Sequence, residues 1–596
     1  MRLHLTLALI TIIALVLTLH AEKRHHFTFD QVDAIARHRA SMKYVPMPDA
    51  LPPQLKKLNP DQDRGIFSKL TARLWRKKGL PFQVDLYHQL NSNPLPHIAP
   101  RLNTIDAKGA HPLPYSPKFF NFYDFTSKPP SQLLFNPPLP DDIGYAGFYI
   151  RYPDMAINSN ANSLDGFFSA MGADYFRVIA KDQVYGLSPR GIAINPGFDN
   201  KPEEFPNFTD WWLHEPSSSA NELVLDAILD GPSVTGAYEF HIRPGGVTSV
   251  DIHASLYFRQ PVERLGISPF SSMYLYGENA KDHFGDSQHP EIHDSDGALI
   301  QNNKDEWMWR PLSQSDDFGT GAKGYQLQYY TFPEENPKGF GLLQRDRDFQ
   351  HYQDLGMLYN VRPSAWVTPH GDWGKGEVTL VERPSNDVNT DNVVFFWRPY
   401  EPIVAGTHLD LNYTIDFYMN DAQRPPLAYT KQTLVACPAP PPPPPPPPAN
   451  LPPLPVKPNE PTPPTPAKPG PAAPKAVAAT TNAPAATPPS APSAPVVIGP
   501  PLPIPVGTVP VQFMIDFAGN GIENIPANQP PDIDLAYDPP RTYLREKSVE
   551  KNGFDNSWRV TFTIIPFKHY VPTTLSCRLV RNNRPLTETW TYVWHQ

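Results

Sequence analysis

The sequence predicts an all-β protein made of a large β-sandwich, a proline-rich linker and a small second sandwich. Three observations predict it. From Phe82 to Asn420 the chain is a succession of short alternating, β-branched and aromatic segments, among them PFQVDLYH, GFYIRY, AYEFHIRP, VTSVDIHASLYFR, EVTLVE and LDLNYTIDFYM, separated by Gly, Pro, Asn and Asp clusters. That is how antiparallel sandwiches read. At Cys437 the composition breaks into an unbroken proline run, Pro440 to Pro448, and stays Pro- and Ala-rich to about Pro510. Strand patterns return at Val511 with VQFMIDF, WRVTFTIIPF, LSCRLVR and ETWTYVW, enough for a small immunoglobulin-like sandwich.

Taken in chain order, the N-terminus comes first. Arg2 and His4 precede an almost wholly apolar run, Leu5 to Leu19, with Ala21 placed for cleavage. The run is short for a membrane span of about 20 residues. It predicts a secretory signal peptide over residues 1–21, the alternative being an uncleaved anchor. Either way the body is exported. Apolar residues at three- and four-residue steps predict helices over Phe29–Tyr44 and Arg64–Lys78, and the basic stretch Lys69–Lys78 reads as the solvated face of the second. The large sandwich then closes a domain spanning 22–436. The linker takes 437–510, where few large side chains and few backbone donors leave nothing to pack; the proline run favours polyproline II at about 3.1 Å per residue. The small sandwich takes 511–596.

The chain has 596 residues, 40% hydrophobic and 12% aromatic, with a net charge of −9. It can build sizeable cores but lacks the basic footprint of a nucleic-acid-binding protein. Its two cysteines, Cys437 and Cys577, cannot make a thiolate metal site; in an oxidising compartment they could pair. No phosphate-binding glycine loop, HExxH zinc motif or GxSxG nucleophile turn is present, so the sequence calls for no metal and no cofactor.

What remains is acidic and aromatic. PEIHDSDGAL holds Glu291, Asp294 and Asp296 around His293. EWMWR puts Trp307 and Trp309 on one face of a strand and Arg310 on the other. The stretch from Gly339 to Gly376 is rich in Arg, Asp, Tyr and Trp, including Arg347, Tyr359 and Trp366, and Asp391 precedes the apolar strand NVVFFWRP. Sugars are bound by such sets: ring faces stack on C–H groups while Asp, Arg and Asn bond hydroxyl pairs. Glycoside hydrolysis needs two carboxyls flanking the scissile bond. Against this, Asp in H-D-S and T-D-N also forms turns, and paired tryptophans are also core residues.

The run of motifs PFQVDLYHQ, GYAGFYIRYP, MGADYFRVIAKDQVYGLSPRGIAI, LGISPFSSMYLYGEN, PEIHDSDGAL, EWMWRPL, NPKGFGLLQRDRDFQHYQDL and TDNVVFFWRP resembles the MdoG/OpgG family of periplasmic glucan biosynthesis proteins over about residues 27–420. The resemblance implies a galactose-mutarotase-like large sandwich, a periplasmic location and a role in making β-1,2-linked glucan. It implies that some members are inverting endo-β-1,2-glucanases. On the matching motifs Asp391 falls at the general acid, Asp294 at the general base acting through a proton relay, and Tyr359 at a tyrosine lining the cleft. Trp307, Trp309, Arg347 and Trp366 are the further candidates for substrate binding. The implied partners are a β-1,2-glucan, the inner-membrane glucan synthase and a second copy of the chain in a homodimer. Two features depart from the family: the proline-rich insert, which leaves open whether the domains pack rigidly, and a long loop, Ser313–Tyr330, lying in sequence between the two aspartates. Three readings stand at this point: a glucan hydrolase, a non-catalytic glucan-binding factor, and a structural envelope protein.

Overall fold

A computed structural model describes residues 27–93, 97–157, 164–198, 201–280, 283–313, 327–420, 425–436, 510–537, 542–566 and 572–595, and the backbone of 496–497. The expected signal peptide, the proline run, Cys437 and most of the loop after Ser313 lie outside these residues. Regular structure is nearly all β, as the strand patterns predict. Among the described residues no helix is long and apolar enough to cross a membrane.

One sheet organises the molecule. It runs from Gly109–Pro112 and Arg101–Asp106 through Asn207–His214, Leu223–Asp230, Val234–Arg243, Val247–Phe258 and His408–Tyr418 to Ser364–His370, Gly339–Leu343, Gly297–Gln301 and Trp307–Pro311. Against it stand a four-stranded sheet (Gln83–Tyr87, Gly147–Pro153, Leu164–Met171, Phe176–Val178) and a six-stranded one built on Leu265–Ser272, Val393–Pro399, Lys375–Glu382 and Gln328–Glu335. Phe148 and Phe168 from the first, Phe270 and Phe395 from the second, and Phe240 and Ile252 from the large sheet share one core. Each such side chain stabilises the fold by about 1.5–3 kcal/mol relative to exposure.

The N-terminal helix, Phe29–Ala40, lies outside this sandwich. It starts at Thr28, whose backbone N–H donates to Gln31 Oε1 at 3.2 Å, and it buries Val32 and Ala36 against Trp212, Ile228 and Ala237. It ends four residues earlier than the periodicity predicts, before Pro46 and Pro48 impose extended backbone. The second expected helix does not form. Pro60–Arg64 is one short helix, Ile66–Ser68 is a strand paired with Phe120–Phe122, and Leu70–Ala72 and Arg76–Lys78 are single 3₁₀ turns. Gly65 sits so close to the Tyr123 carbonyl that a Cβ there would collide with it. Trp75 is left-handed (φ 63°) and Arg73 is drawn to Asp85 at 2.9 Å. The basic stretch is therefore not a helix face.

The C-terminal sandwich differs from its expected limits in two ways. Its first strand, Tyr429–Ala436, comes from before the proline-rich stretch and pairs antiparallel with Val511–Ala518, so the boundary falls before Tyr429 and not at residue 436. Its second sheet is not its own: Thr589–Trp594 joins the large sheet in parallel, Met308 opposite Thr589 and Trp309 opposite Trp590. The alternation of Thr589–Trp594 sends Trp590, Tyr592 and Trp594 inward, where they meet Phe513 and Phe562 and, from the large sandwich, Trp307, Trp309 and Trp366. Cys577 is a free thiol buried in that core.

A buried ion pair locks the two sandwiches. Glu588, fully buried, takes both Nη atoms of Arg345 at 2.6 and 3.0 Å and the backbone N–H of Thr430 at 2.7 Å. The guanidinium lies over Trp309, 3.7 Å from its ring centre. The rigid packing that the long insert left open is thus built by strand pairing, an aromatic core and a bidentate pair. Breaking a buried pair strands the remaining charge, which costs about 3–5 kcal/mol. Glu588→Ala is expected to lower unfolding stability by that amount in denaturant titration; a loss below about 1 kcal/mol would mean that the pair does not hold the junction.

Candidate functional site

The two aspartates singled out by sequence hang from the same piece of backbone. Asp294 follows the short strand Ile292–His293, and its N–H donates to the Met273 carbonyl at 2.8 Å. Asp391 precedes the strand Val393–Pro399. Its neighbour Asn392, buried, accepts from the Tyr274 N–H at 2.8 Å through Oδ1 and donates through Nδ2 to the carbonyls of Tyr274 (2.8 Å) and Arg383 (2.9 Å). A side-chain amide that bonds a backbone as another strand would fixes its own chain in register, at about 1 kcal/mol per bond. Asn392 therefore places Asp391 as the Met273 carbonyl places Asp294.

A third chain segment brings the counter-charge. Tyr359–Val361 forms a 3₁₀ turn, and the following Arg362 donates through Nη1 to Asp294 Oδ1 while Nε and Nη2 donate to the Met357 carbonyl at 3.3 and 3.2 Å. Its guanidinium stacks on Tyr359, 4.3 Å from the ring centre. Gly186 gives it room, since a Cβ there would press on the Arg362 side chain at 3.0 Å. Arg177, held by Ser188 Oγ at 3.1 Å, and the buried Arg190, paired with Glu203 at 2.7 Å, complete the positive surroundings.

These contacts set the electrostatics. Burial pushes the Asp294 carboxyl up to about 6; Arg362 opposes this and the Asp391 charge adds to it. Asp391 reaches solvent, but the protein crowding its carboxyl raises its pKa, opposed by Arg177, Arg190 and Arg362. Each group thus responds to the other or to the same arginine, as neighbouring charges do. Burial raises Tyr359 to about 12, with Arg362 opposing, so it stays a neutral hydrogen-bonding phenol.

The remaining candidates lie elsewhere. Trp307, Trp309 and Trp366 are 6%, 3% and 2% exposed, and Trp307 stacks on Trp366 at 5.4 Å between the sandwiches. They offer no open ring face to a sugar in the cleft, because the C-terminal strands cover the face that alternation gave them. Arg347 is committed to protein: it donates to the carbonyls of Asn360 (3.1 Å), Arg362 (2.5 Å) and Met419 (2.9 Å) and to Ser364 Oγ (3.3 Å). It holds the turn that carries Tyr359 and Arg362 and so acts on the cleft through them.

Behind Asp294 lies a buried polar network. His293 bonds Glu291 at 2.9 Å and Gln344 at 3.0 Å. Burial opposes its charge, but Asp296, Glu291 and Glu278 outweigh that and hold it up at about 9. Glu278 is pushed up to about 8 by burial and by the repulsion of Glu291 and Asp296. The triads Glu291, His293, Asp296 and Glu291, Asp346, His351 have the donor set for a cation, with ligand atoms within 4.8 Å of one another. Their hydrogen bonds to one another already balance much of the charge.

Sequence reasoning missed Asn392, Arg362, Arg177 and Arg190. Arg362 stands three residues after Tyr359 in LYNVRP and Asn392 beside Asp391 in TDN; proximity to the candidates was the only signal either gave.

A family model described as periplasmic glucan biosynthesis protein, MdoG, matches residues 27–440 and 480–594, and its break falls in the proline-rich stretch. The glucans biosynthesis protein G of Sodalis glossinidius is 33% identical over 579 residues, 97% of this chain and 95% of that protein. That of Ralstonia nicotianae is 38% identical over 407 residues, 68% of this chain and 76% of the relative. A match that runs through both sandwiches, and is interrupted inside the proline-rich stretch, shows that the chain belongs to the MdoG family of periplasmic glucan biosynthesis proteins.

Proposed function

We propose that this chain, exported by its N-terminal signal peptide, acts in glucan biosynthesis as an inverting endo-β-1,2-glucanase that trims or remodels nascent glucan. The observation that carries the reading is the pair of carboxyls, Asp294 and Asp391, held by one backbone segment and sharing Arg362. Asp391 gives its proton to the glycosidic oxygen as the bond to the anomeric carbon breaks. Water attacks that carbon from the opposite face, and Asp294 takes the proton that the water loses, directly or through a relay. An upward push on Asp391 suits a proton donor. Asp294, at about 6, is ionised at neutral pH and suits an acceptor. Tyr359, buried beneath the Arg362 guanidinium, serves the relay and not the sugar directly. The inner-membrane synthase as partner and a homodimer belong to the same proposal.

A second reading, a glucan-binding factor that assists the synthase without turnover, is favoured by one observation: Arg362 already occupies one oxygen of Asp294. The two readings part on cleavage. Incubated with linear β-1,2-glucan, the mature protein is expected to release new reducing ends, and Asp391→Asn to lose about 10²–10⁴-fold of that rate, the usual worth of a general acid. No release by either protein, with glucan binding intact, leaves the binding factor as the account.

The pH profile gives an independent check. A base works ionised, so kcat/KM is expected to fall as pH drops through about 6, the position to which Asp294 is raised from its ordinary 3.8. Since Arg362 favours the ionised form, Arg362→Gln is expected to move that limb to higher pH. A limb left in place would remove Asp294 from the role. The stability sign is opposite: the native state holds this proton more tightly than the unfolded chain, so the contribution of Asp294 to stability falls as pH rises from about 4 to 6.

A further inference from the structure

Between the two sandwiches lies a second recess, a cavity of about 430 Å³, within the range of small-molecule sites. Asp296 lines it, but Asp294 and Asp391 do not, so it is separate from the carboxylate cleft. The large sandwich contributes Asp346, Asp348 and His351; the small one contributes Tyr429 and Gln432.

Its chemistry follows from which groups are already engaged. The three cations on its wall are committed: Arg345 to Glu588, Lys431 to Asp555 at 2.6 Å, and Arg347 to backbone carbonyls. An anionic ligand would have to break one of these pairs. Left facing the cavity are a carboxylate, Asp348, which spends one oxygen on capping the N–H of Gln350; the ring of His351, tied to Asp346 through Nδ1 only; the side-chain amide of Gln432; and the Tyr429 ring, 36% exposed. With the cations spent, the wall keeps the carboxyls of Glu278, Asp296, Asp346 and Asp348; acceptors for hydroxyl protons beside the partly exposed Tyr429 ring fit an uncharged ligand rich in hydroxyls.

We infer that this junction cavity binds a short segment of glucan, at a site distinct from the cleft. The inference rests on the reading of the chain as a glucan-handling protein and adds a second site to it. A glucan segment here touches both sandwiches at once, Tyr429 and Gln432 on one side and Asp348 and His351 on the other. A chain held there is anchored to the protein whether or not its other end occupies the cleft.

The test is calorimetric titration of the full mature chain with a linear β-1,2-linked glucose tetrasaccharide, in the Asp391→Asn background so that no turnover occurs. Two sites per chain are expected, falling to one when Tyr429→Ala and Gln432→Ala are added. The gentler Gln432→Ala alone is expected to weaken the second site without removing it. A stoichiometry that neither variant changes overturns the junction site and leaves the cleft untouched. Absence of binding to any form of the chain overturns the glucan-handling reading together with it.

Discussion

Arg345 carries the constraint on which the rest of the architecture depends. Its side chain holds Glu588 and covers Trp309, joining the sandwiches, while its backbone N–H and that of Asp346 bond Asp296 Oδ2. Asp296 stands two residues after Asp294. The residue that ties in the C-terminal sandwich through its side chain therefore also braces, through its backbone, the turn that follows Asp294. A low-dielectric bidentate pair is favourable only when geometry is good and every remaining lone pair is used; here Thr430 N–H supplies the extra bond. The proline-rich stretch need not transmit any of this, because the strand before it and the strands after it already belong to one sandwich.

The cleft is assembled from three chain segments far apart in sequence, and each is held by hydrogen bonds to backbone. Met273 and Tyr274 supply the common frame, Asn392 copies a strand's bonding pattern to reach it, and Arg347 pins the turn that delivers Tyr359 and Arg362. Backbone anchoring suits a site whose electrostatics depend on distance. Both carboxyls move upward in pKa, and they do not separate by opposite shifts. What distinguishes them is the direct bond from Arg362 to Asp294 and the greater solvent access of Asp391.

The aromatic residues show how local pattern and tertiary role can diverge. Alternation correctly put Trp307 and Trp309 on one face of a strand, and nothing in EWMWR says whether that face meets a sugar or another sheet. The C-terminal strand that joins this one edge to edge lies some 280 residues away and pairs in parallel, a partnership that local sequence does not encode, and the face is buried by the aromatic core that the C-terminal sandwich brings with it. Periodicity failed in Arg64–Lys78 for a related reason. Its apolar spacing is compatible with a helix, but Tyr123 crowding Gly65 and Asp85 drawing Arg73 make a strand and two tight turns the lower-energy solution.

By itself the sequence determined what is local: the all-β class from residue alternation, the compositional break at Cys437, and a helix over most of Phe29–Tyr44. Each follows from side-chain pattern within a few residues. Tertiary structure alone decided which strand crosses the proline-rich stretch to complete the second sandwich. It decided that three tryptophans seal a junction, that Arg347 supports a turn, that Asn392 braces the segment of Asp391 and that Arg362 pairs with Asp294. Those outcomes depend on the burial and charge that distant segments bring to a residue, and a side chain's neighbours in space are not written in its neighbours along the chain.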